Sequence, residues 1–313
     1  MKNNVLIIPC YNEEEVLRYT FAKLSELYKK LIDTQILSPD SKICFVDDGS
    51  KDKTWMIIEE LCRSESTVQG IRLSRNFGHQ AALIAGLESK CGKFDTYISI
   101  DADLQDDISV IRDMIKKAAE GISIVYGVRD DRKTDSFFKR TTAKGFYKFM
   151  NLLGADGIYN HADYRLIDNK ALKELLRFQE RNLYLRGIVP MVGFKHSIVT
   201  YARGKRAHGE SKYPLKKMIA LAWEGITSVS SKPLSIILYI GLLMFTFSIG
   251  ILIWATVVLI LGLVIPGWFS IIFPTTFFGG VQMISVGVIG EYVGKIYLEI
   301  KSRPRYIVES NLE

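Results

Sequence analysis

Asp101-Ala102-Asp103-Leu104-Gln105 follows directly on the apolar run Thr96-Tyr97-Ile98-Ser99-Ile100. Two carboxylates and an amide at the exit of a buried strand can hold a divalent cation against a diphosphate. Residues two apart in an extended chain point the same way, so Asp101 and Asp103 share a face if the strand continues through them. Hard oxygen donors suit Mg²⁺ or Mn²⁺, which keep several waters and take one or two protein carboxylates plus substrate phosphates. An acidic turn capping a helix that begins near Ile108 accounts for Asp106 or Asp107 as N-cap. It does not account for Asp101 and Asp103, which sit at the carboxyl end of a core strand, where open α/β sheets bind ligands.

The elements that must position these groups are legible as short apolar strands at 5–8, 43–46, 70–73, 97–100 and 123–126. Between them lie amphipathic helices at 14–31, 54–62, 80–89 and 108–119. This alternation predicts an α/β domain whose mostly parallel sheet is covered on both faces. The first four strands run out into Pro9-Cys10-Tyr11-Asn12-Glu13, Asp47-Asp48-Gly49-Ser50-Lys51-Asp52, Ser74-Arg75-Asn76-Phe77-Gly78-His79 and the Asp101 cluster. All four polar groups therefore gather on one rim, the carboxyl edge. Ser50 or Asp52 is expected to cap the second helix, leaving Asp48 free to accept hydrogen bonds from a base or ribose. No G-x-G-x-x-G follows the first strand and no G-x-x-x-x-G-K-[ST] occurs, so neither a dinucleotide fingerprint nor a nucleoside-triphosphatase loop is present.

Composition divides the chain sharply, because residues 233–290 contain no Asp, Glu, Lys, Arg or His. Two apolar spans, 235–263 and 269–290, each reach the ~20 residues that cross a bilayer, with 264–268 as a tight turn between them. Lys212, Lys216, Lys217 and Lys232 precede the first span, and Lys295, Lys301, Arg303 and Arg305 follow the second. This flanking charge predicts that both ends are cytoplasmic. No signal peptide is expected, since residues 1–4 lead only into a short apolar strand. Cys10, Cys44, Cys62 and Cys91 have no metal-like spacing and read as reduced, buried thiols. The net charge of +7 is concentrated at 129–148 and 203–217, the latter leading into the spans. A basic face beside a bilayer points to anionic lipid or a lipid phosphate rather than nucleic acid.

Taken together, the segments at 9–13, 46–50, 74–78 and 101–105 resemble those of family 2 glycosyltransferases of the GT-A fold. The similarity is greater to the polyprenyl-phosphate glycosyltransferases related to bactoprenol glucosyltransferase and dolichol-phosphate mannose synthase. It continues through Asp163-Tyr164-Arg165-Leu166, Glu180-Arg181-Asn182-Leu183 and Arg206-Ala207-His208-Gly209-Glu210-Ser211-Lys212, and covers nearly the whole chain. Bacterial relatives usually read G-D-F-R-L at the first of these, so Ala162 and Tyr164 depart while the aspartate and arginine remain in place.

The resemblance implies a cytoplasmic GT-A nucleotide-sugar-binding domain over 1–212, an amphipathic interfacial helix over 213–232, two transmembrane helices within 233–294 and a cytoplasmic tail over 295–313. It implies that Pro9, Tyr11, Glu13 and Asp48 hold the base and ribose of a nucleotide-sugar donor whose diphosphate meets Asp101 and Asp103. Asp101, Asp103 and Gln105 would hold Mg²⁺ or Mn²⁺. Arg129, Arg140, Arg206 and Lys212 would take the phosphate of a polyprenyl acceptor, and Asp163 would orient that acceptor or act as a base, making Asp101, Asp103 and Asp163 the catalytic carboxylates. A phosphate monoester with its second pKa near ~6 is largely dianionic at neutral pH and needs positioning more than a general base.

The implied reaction is inverting transfer of a hexose to undecaprenyl phosphate for cell-envelope glycan modification. UDP-glucose is the expected donor, with UDP-N-acetylglucosamine or GDP-mannose as alternatives. The enzyme would be a multi-pass protein of the inner or plasma membrane, assembled as a homotetramer and served by a flippase and a downstream glycosyltransferase. A processive polysaccharide synthase is disfavoured because Q-x-x-R-W is absent. A non-catalytic nucleotide-sugar sensor or scaffold is the reading from another class.

Overall fold

The computed structural model describes residues 1–130, 161–181, 184–202, 227, 230–261 and 267–313. Arg140, Arg206, Lys212 and most of the expected interfacial helix lie outside the described residues.

Strand β1 (Asn4–Cys10) is buried at all seven positions. It runs parallel to both β2 (Lys42–Asp47) and β4 (Thr96–Ser99), which flank it. A strand covered on both faces has no solvent side to make polar, hence the unbroken Val5-Leu6-Ile7-Ile8. With β3 (Val68–Leu73), β5 (Ile124–Arg129), β6 (His161–Asp168), β7 (His196–Tyr201) and β8 (Val308–Leu312) the sheet has eight strands in the order β7-β5-β6-β4-β1-β2-β3-β8. β6 pairs antiparallel with β4 and β5, and β8 pairs antiparallel with β3, whereas the remaining pairings are parallel.

Alternate residues of β1 feed opposite cores, as the two-residue period of a strand requires. Leu6 and Ile8 pack with α1 (Leu17–Asp33), α2 (Thr54–Ser64) and α4 (Ile111–Ala119) through Leu24, Ile58 and Met114. Val5 and Ile7 pack on the other face with α3 (His79–Lys90), α5 (Asn169–Leu175) and α6 (Leu185–Met191) through Ala82, Leu172 and Ile188. Each fully buried Leu or Ile contributes about 1.5–3 kcal/mol relative to exposure. Helix α3 lies close to the sheet because of Gly86, where an added Cβ would meet Ile7 Cγ2 at 2.5 Å.

The five strands and four helices expected for this half are present, with shifted ends. Helix α1 begins at Leu17 rather than residue 14, and the fourth helix opens with a 3₁₀ turn, Ile108–Val110. Three strands were not expected. β6 reads His-Ala-Asp-Tyr-Arg-Leu-Ile-Asp, its apolar pattern interrupted by Asp163 and Arg165, and β8 reads Val-Glu-Ser-Asn-Leu, a polar edge strand.

Two long helices follow, α7 (Lys232–Ile260) and α8 (Trp268–Ile300). Among the described residues one stretch, Phe277–Ile300, is long and apolar enough to cross a membrane, and Lys232–Phe247 is a shorter apolar stretch. Helix α8 runs past residue 290 and takes in Glu291, Lys295 and Glu299. The end of α8 and the segment after it, expected to be a cytoplasmic tail, return to the domain that carries the sheet. The Ser74 N–H donates to the Ile307 carbonyl at 3.0 Å, Glu299 Oε1 accepts the Arg181 N–H at 2.6 Å, and the Glu313 carboxylate meets Lys93 and the buried Lys90.

Candidate active site on the carboxyl rim

The loops leaving β1 and β2 are stitched together. The Asn12 N–H donates to Ser50 Oγ at 2.9 Å, the Lys51 N–H to Asn12 Oδ1 at 2.9 Å, and the Glu13 N–H to Thr54 Oγ1 at 2.8 Å. Asn12 makes the turn at φ 54°, a left-handed conformation that asparagine tolerates better than most residues. Tyr11 is exposed, whereas Pro9 is buried within β1 opposite Val46. Asp52 accepts the Thr54 N–H and the Glu14 N–H, so it serves both loops at the start of α2.

Asp48 is not free in the way the sequence suggests. Its two carboxylate oxygens accept the Phe77 N–H at 2.7 Å and the Gly78 N–H at 2.9 Å, and the residue is 2% exposed. Burial raises its carboxyl above the ordinary value, and those two backbone donors work against the shift. Asp48 thus ties the β2–α2 loop to the β3–α3 loop. Gly49 permits the same approach at φ 67°, since a Cβ there would lie 2.4 Å from the Arg75 carbonyl carbon.

The chain does not stay extended through Asp101 and Asp103. The Leu104 N–H reaches the Asp101 carbonyl at 3.4 Å, Leu104 has φ 45°, and Thr20 of α1 donates to the Ala102 carbonyl at 2.6 Å. The two carboxylates therefore stand on a turn held from below by α1. Asp103 Oδ1 accepts the Gln105 N–H at 3.2 Å, and Gln105 is itself buried. Asp107, not Asp106, makes the expected cap, accepting the Ser109 N–H at 2.8 Å.

His79, the first residue of α3, stands beside the turn. Its Nε2 is 3.5 Å from Asp101 Oδ1 and 3.8 Å from Asp163 Oδ2. Partial burial raises the Asp101 carboxyl above the ordinary carboxylate range; His79 offsets part of this, and Asp163, Asp106 and Asp103 add to it.

Asp163 reaches the rim because β6 is antiparallel: its opening residues lie beside the end of β4, where Ser99 pairs with Arg165 and Ser99 Oγ donates to the Asp163 carbonyl. The Asp163 carboxylate takes Nη2 of the buried Arg165 on Oδ1 and Nη2 of Arg186 on Oδ2, the latter at 3.2 Å. Burial alone would raise this carboxyl, but Arg165 and then Arg186 outweigh it and hold it well below the ordinary range. An acid so held is a weak proton acceptor and a strong anchor for cations.

Arg129, at the end of β5, is held in the same manner by the buried Asp106, through Nε at 3.1 Å and Nη2 at 3.0 Å. The structure thus brings Asp101, Asp103, Asp163 and Arg129 to one edge of the sheet. His79, Asp106, Arg165 and Arg186 belong with them. The resemblance named the Asp163-Tyr164-Arg165 run, but Arg186 lies in a short helix whose sequence carries no charge pattern of its own.

Among the described residues no group of three or more His, Cys, Asp or Glu is placed to hold a metal alone. Asp101 and Asp103 nevertheless offer hard oxygen donors on one turn, with Asp101 Oδ1 3.5 Å from the His79 ring and His79 in turn 3.8 Å from Asp163. This fits an ion that draws its other ligands from diphosphate and water.

The model of the family described as Glycosyl transferase family 2 matches residues 5–176. The chain belongs to glycosyl transferase family 2. This glycosyltransferase is 50% identical to the uncharacterized glycosyltransferase YkoT of Bacillus subtilis (strain 168), over 98% of this chain and 91% of that one. It is 40% identical to the SfII prophage-derived bactoprenol glucosyl transferase of Shigella flexneri, over 98% and 97% of the two chains. It is 39% identical to the prophage bactoprenol glucosyl transferase homolog of Escherichia coli (strain K12), over 97% of each. As a family 2 enzyme it has the GT-A-like domain that the resemblance implies, and its mostly parallel α/β sheet is the one its strand alternation predicts.

Proposed function

We propose that this glycosyltransferase moves a hexose, glucose from UDP-glucose, onto a membrane polyprenyl phosphate with inversion at the anomeric carbon. The observation that carries the reading is the near full-length likeness to relatives named bactoprenol glucosyl transferase. The rim chemistry agrees with it. Tyr11 and Glu13 would meet the base and ribose, Asp48 would support that pocket through the loop of Phe77 and Gly78 that it braces, Pro9 packs beneath them, and Asp101 and Asp103 would meet the diphosphate. A Mg²⁺ or Mn²⁺ held by Asp101 and Asp103, with Gln105 behind them, would neutralise the departing nucleoside diphosphate. The acceptor phosphate attacks the anomeric carbon from the side opposite that leaving group, guided by Arg129 together with Arg140, Arg206 and Lys212. A dianionic phosphate has no proton to lose, and Asp163, paired to two arginines, positions rather than deprotonates.

In this reading α7 and α8 both cross the bilayer. The exposed Leu238, Leu243, Met283 and Ile284 support it, since such side chains cover themselves in a soluble protein. The pairing of β8 with β3 supports an even number of crossings, because the segment after α8 rejoins the domain that precedes α7. A flippase, a second transferase that uses the lipid-linked sugar, and assembly as a homotetramer belong to the same proposal.

The test is incubation of detergent-purified protein with undecaprenyl phosphate, Mg²⁺ or Mn²⁺, and labelled UDP-glucose, UDP-N-acetylglucosamine or GDP-mannose. Label from UDP-glucose enters the organic phase and is lost in Asp103→Ala. Label from another donor replaces glucose in the reading; no label from any donor, with nucleotide sugar still bound, replaces transfer with sensing.

A further inference from the structure

We propose that Arg186 is a further phosphate-binding residue of the site and that Asp163 is its positioning residue; this rests on the functional reading above. Neither the strand-end motifs nor the family segments single out Arg186. Its side chain is 36% exposed, and among the described residues its hydrogen-bond partner is Asp163 Oδ2 at 3.2 Å. A guanidinium carries five N–H donors in a planar fork, so most of its donors remain available after that bond.

The neighbouring Arg165 shows the contrast. It is buried, with Nη2 on Asp163 and Nη1 on the Leu185 carbonyl at 3.3 Å, so it serves as internal framework. Arg186 follows Leu185 directly at the start of α6, and this turn is fixed from both sides. The Leu185 N–H donates to Gln80 Oε1 at 2.9 Å, while Arg165 holds the Leu185 carbonyl. Gln80 is the second residue of α3, next to His79. Contacts run from Arg186 to Asp163 at 3.2 Å, from Asp163 to His79 at 3.8 Å, and from His79 to Asp101 at 3.5 Å. Arg186 is thus a partly exposed cation on a fixed mount, linked by short contacts to the carboxylate that faces the diphosphate.

The ligand chemistry is a phosphate oxygen, which comes from the donor diphosphate or from the acceptor phosphate. Arg186→Gln keeps much of the side-chain length, removes the charge and leaves Arg165 paired with Asp163. The measurements are the Kd for UDP with Mn²⁺, the Kd for undecaprenyl phosphate in nanodiscs, and KM and kcat for transfer. A charge-assisted hydrogen bond lost from the site weakens one affinity about 10–100-fold. A weakened undecaprenyl phosphate Kd with UDP unchanged assigns Arg186 to the acceptor, and the reverse assigns it to the donor.

Asp163→Asn gives the same split. In the double variant it adds little to the loss of phosphate affinity from Arg186→Gln, because both substitutions break the Arg186–Asp163 contact. Arg186→Lys recovers part of the affinity by returning the charge. If the wild type binds both probes and transfers sugar while Arg186→Gln alters no Kd and no KM, the assignment of Arg186 is overturned and the functional reading stands. If the wild type binds neither probe, the functional reading falls and takes the assignment with it.

Discussion

Asp101 and Asp163 lie on the same rim, each within 4 Å of His79, yet their surroundings are electrostatic opposites. Burial first, and then the neighbouring carboxylates, raise the Asp101 carboxyl, with a single histidine in opposition. Asp163 is clasped by two arginines, and its carboxyl is depressed. The residue type is the same, and the strand it hangs from decides the rest. Asp101 follows a parallel strand into an acidic turn, while Asp163 opens an antiparallel strand next to Arg165. One acid is left short of positive charge, which suits a cation that arrives with substrate. The other has its cations built in, Arg165 as buried framework and Arg186 partly exposed beside it.

The largest effect that can break this contrast is on activity. Asp101→Asn and Asp103→Ala should each reduce transfer on the order of 10³-fold, read as initial rate of label entering lipid. Stability should then separate the two acids. Asp163→Asn leaves Arg165 buried without its counter-charge and should cost about 3–5 kcal/mol, seen as a lower Tm by tryptophan fluorescence. Asp101→Asn should raise the Tm of the metal-free protein, since it removes a repelling charge. An equal fall for both would show that the two environments do not differ as described.

The pH dependence sharpens the same point with opposite signs. The Asp101 carboxyl is raised in the folded protein, so its charge is tolerated less well there than in the unfolded chain, where the pKa is about 3.9. The Tm advantage of Asp101→Asn should therefore be absent in acid and grow as pH rises through the folded value towards neutrality. The Asp163 contribution runs the other way. It is fully present above about pH 3.9 and is lost only as pH falls through the depressed folded value. A smaller effect is expected at Asp48→Ala, which orphans the Phe77 and Gly78 N–H groups and should cost about 1–3 kcal/mol. The measurement is faster amide exchange at those two positions.

How much of this was legible depended on whether one residue's neighbours in sequence were also its neighbours in space. The first five strands announce themselves through short apolar runs, unbroken where both faces are buried, as at residues 5–8 and 43–46. Asp101 and Asp103 could be placed at a strand end on that basis alone. The turn through Ala102 and Leu104 could not, because it depends on Thr20, a residue more than eighty positions earlier. Asp48 was read as free for a similar reason: its two donors come from the next loop. β6 was hidden by the Asp163 and Arg165 charges that make it useful, and β8 by its exposure at an edge. Arg186 lacked any local signal, since only the packing of α6 against β6 brings it to Asp163.

The return of the chain as β8 has a mechanical meaning. A catalytic domain joined to its helices by one linker could swing as a pendulum and search a volume above the lipid. A domain also held through Glu299, Ile307 and Glu313 is moored at a second point, and its freedom to pivot is reduced. If the helices cross a bilayer as proposed, the active rim keeps a set height and facing, and encounter with a lipid-borne acceptor becomes a search by lateral diffusion in two dimensions.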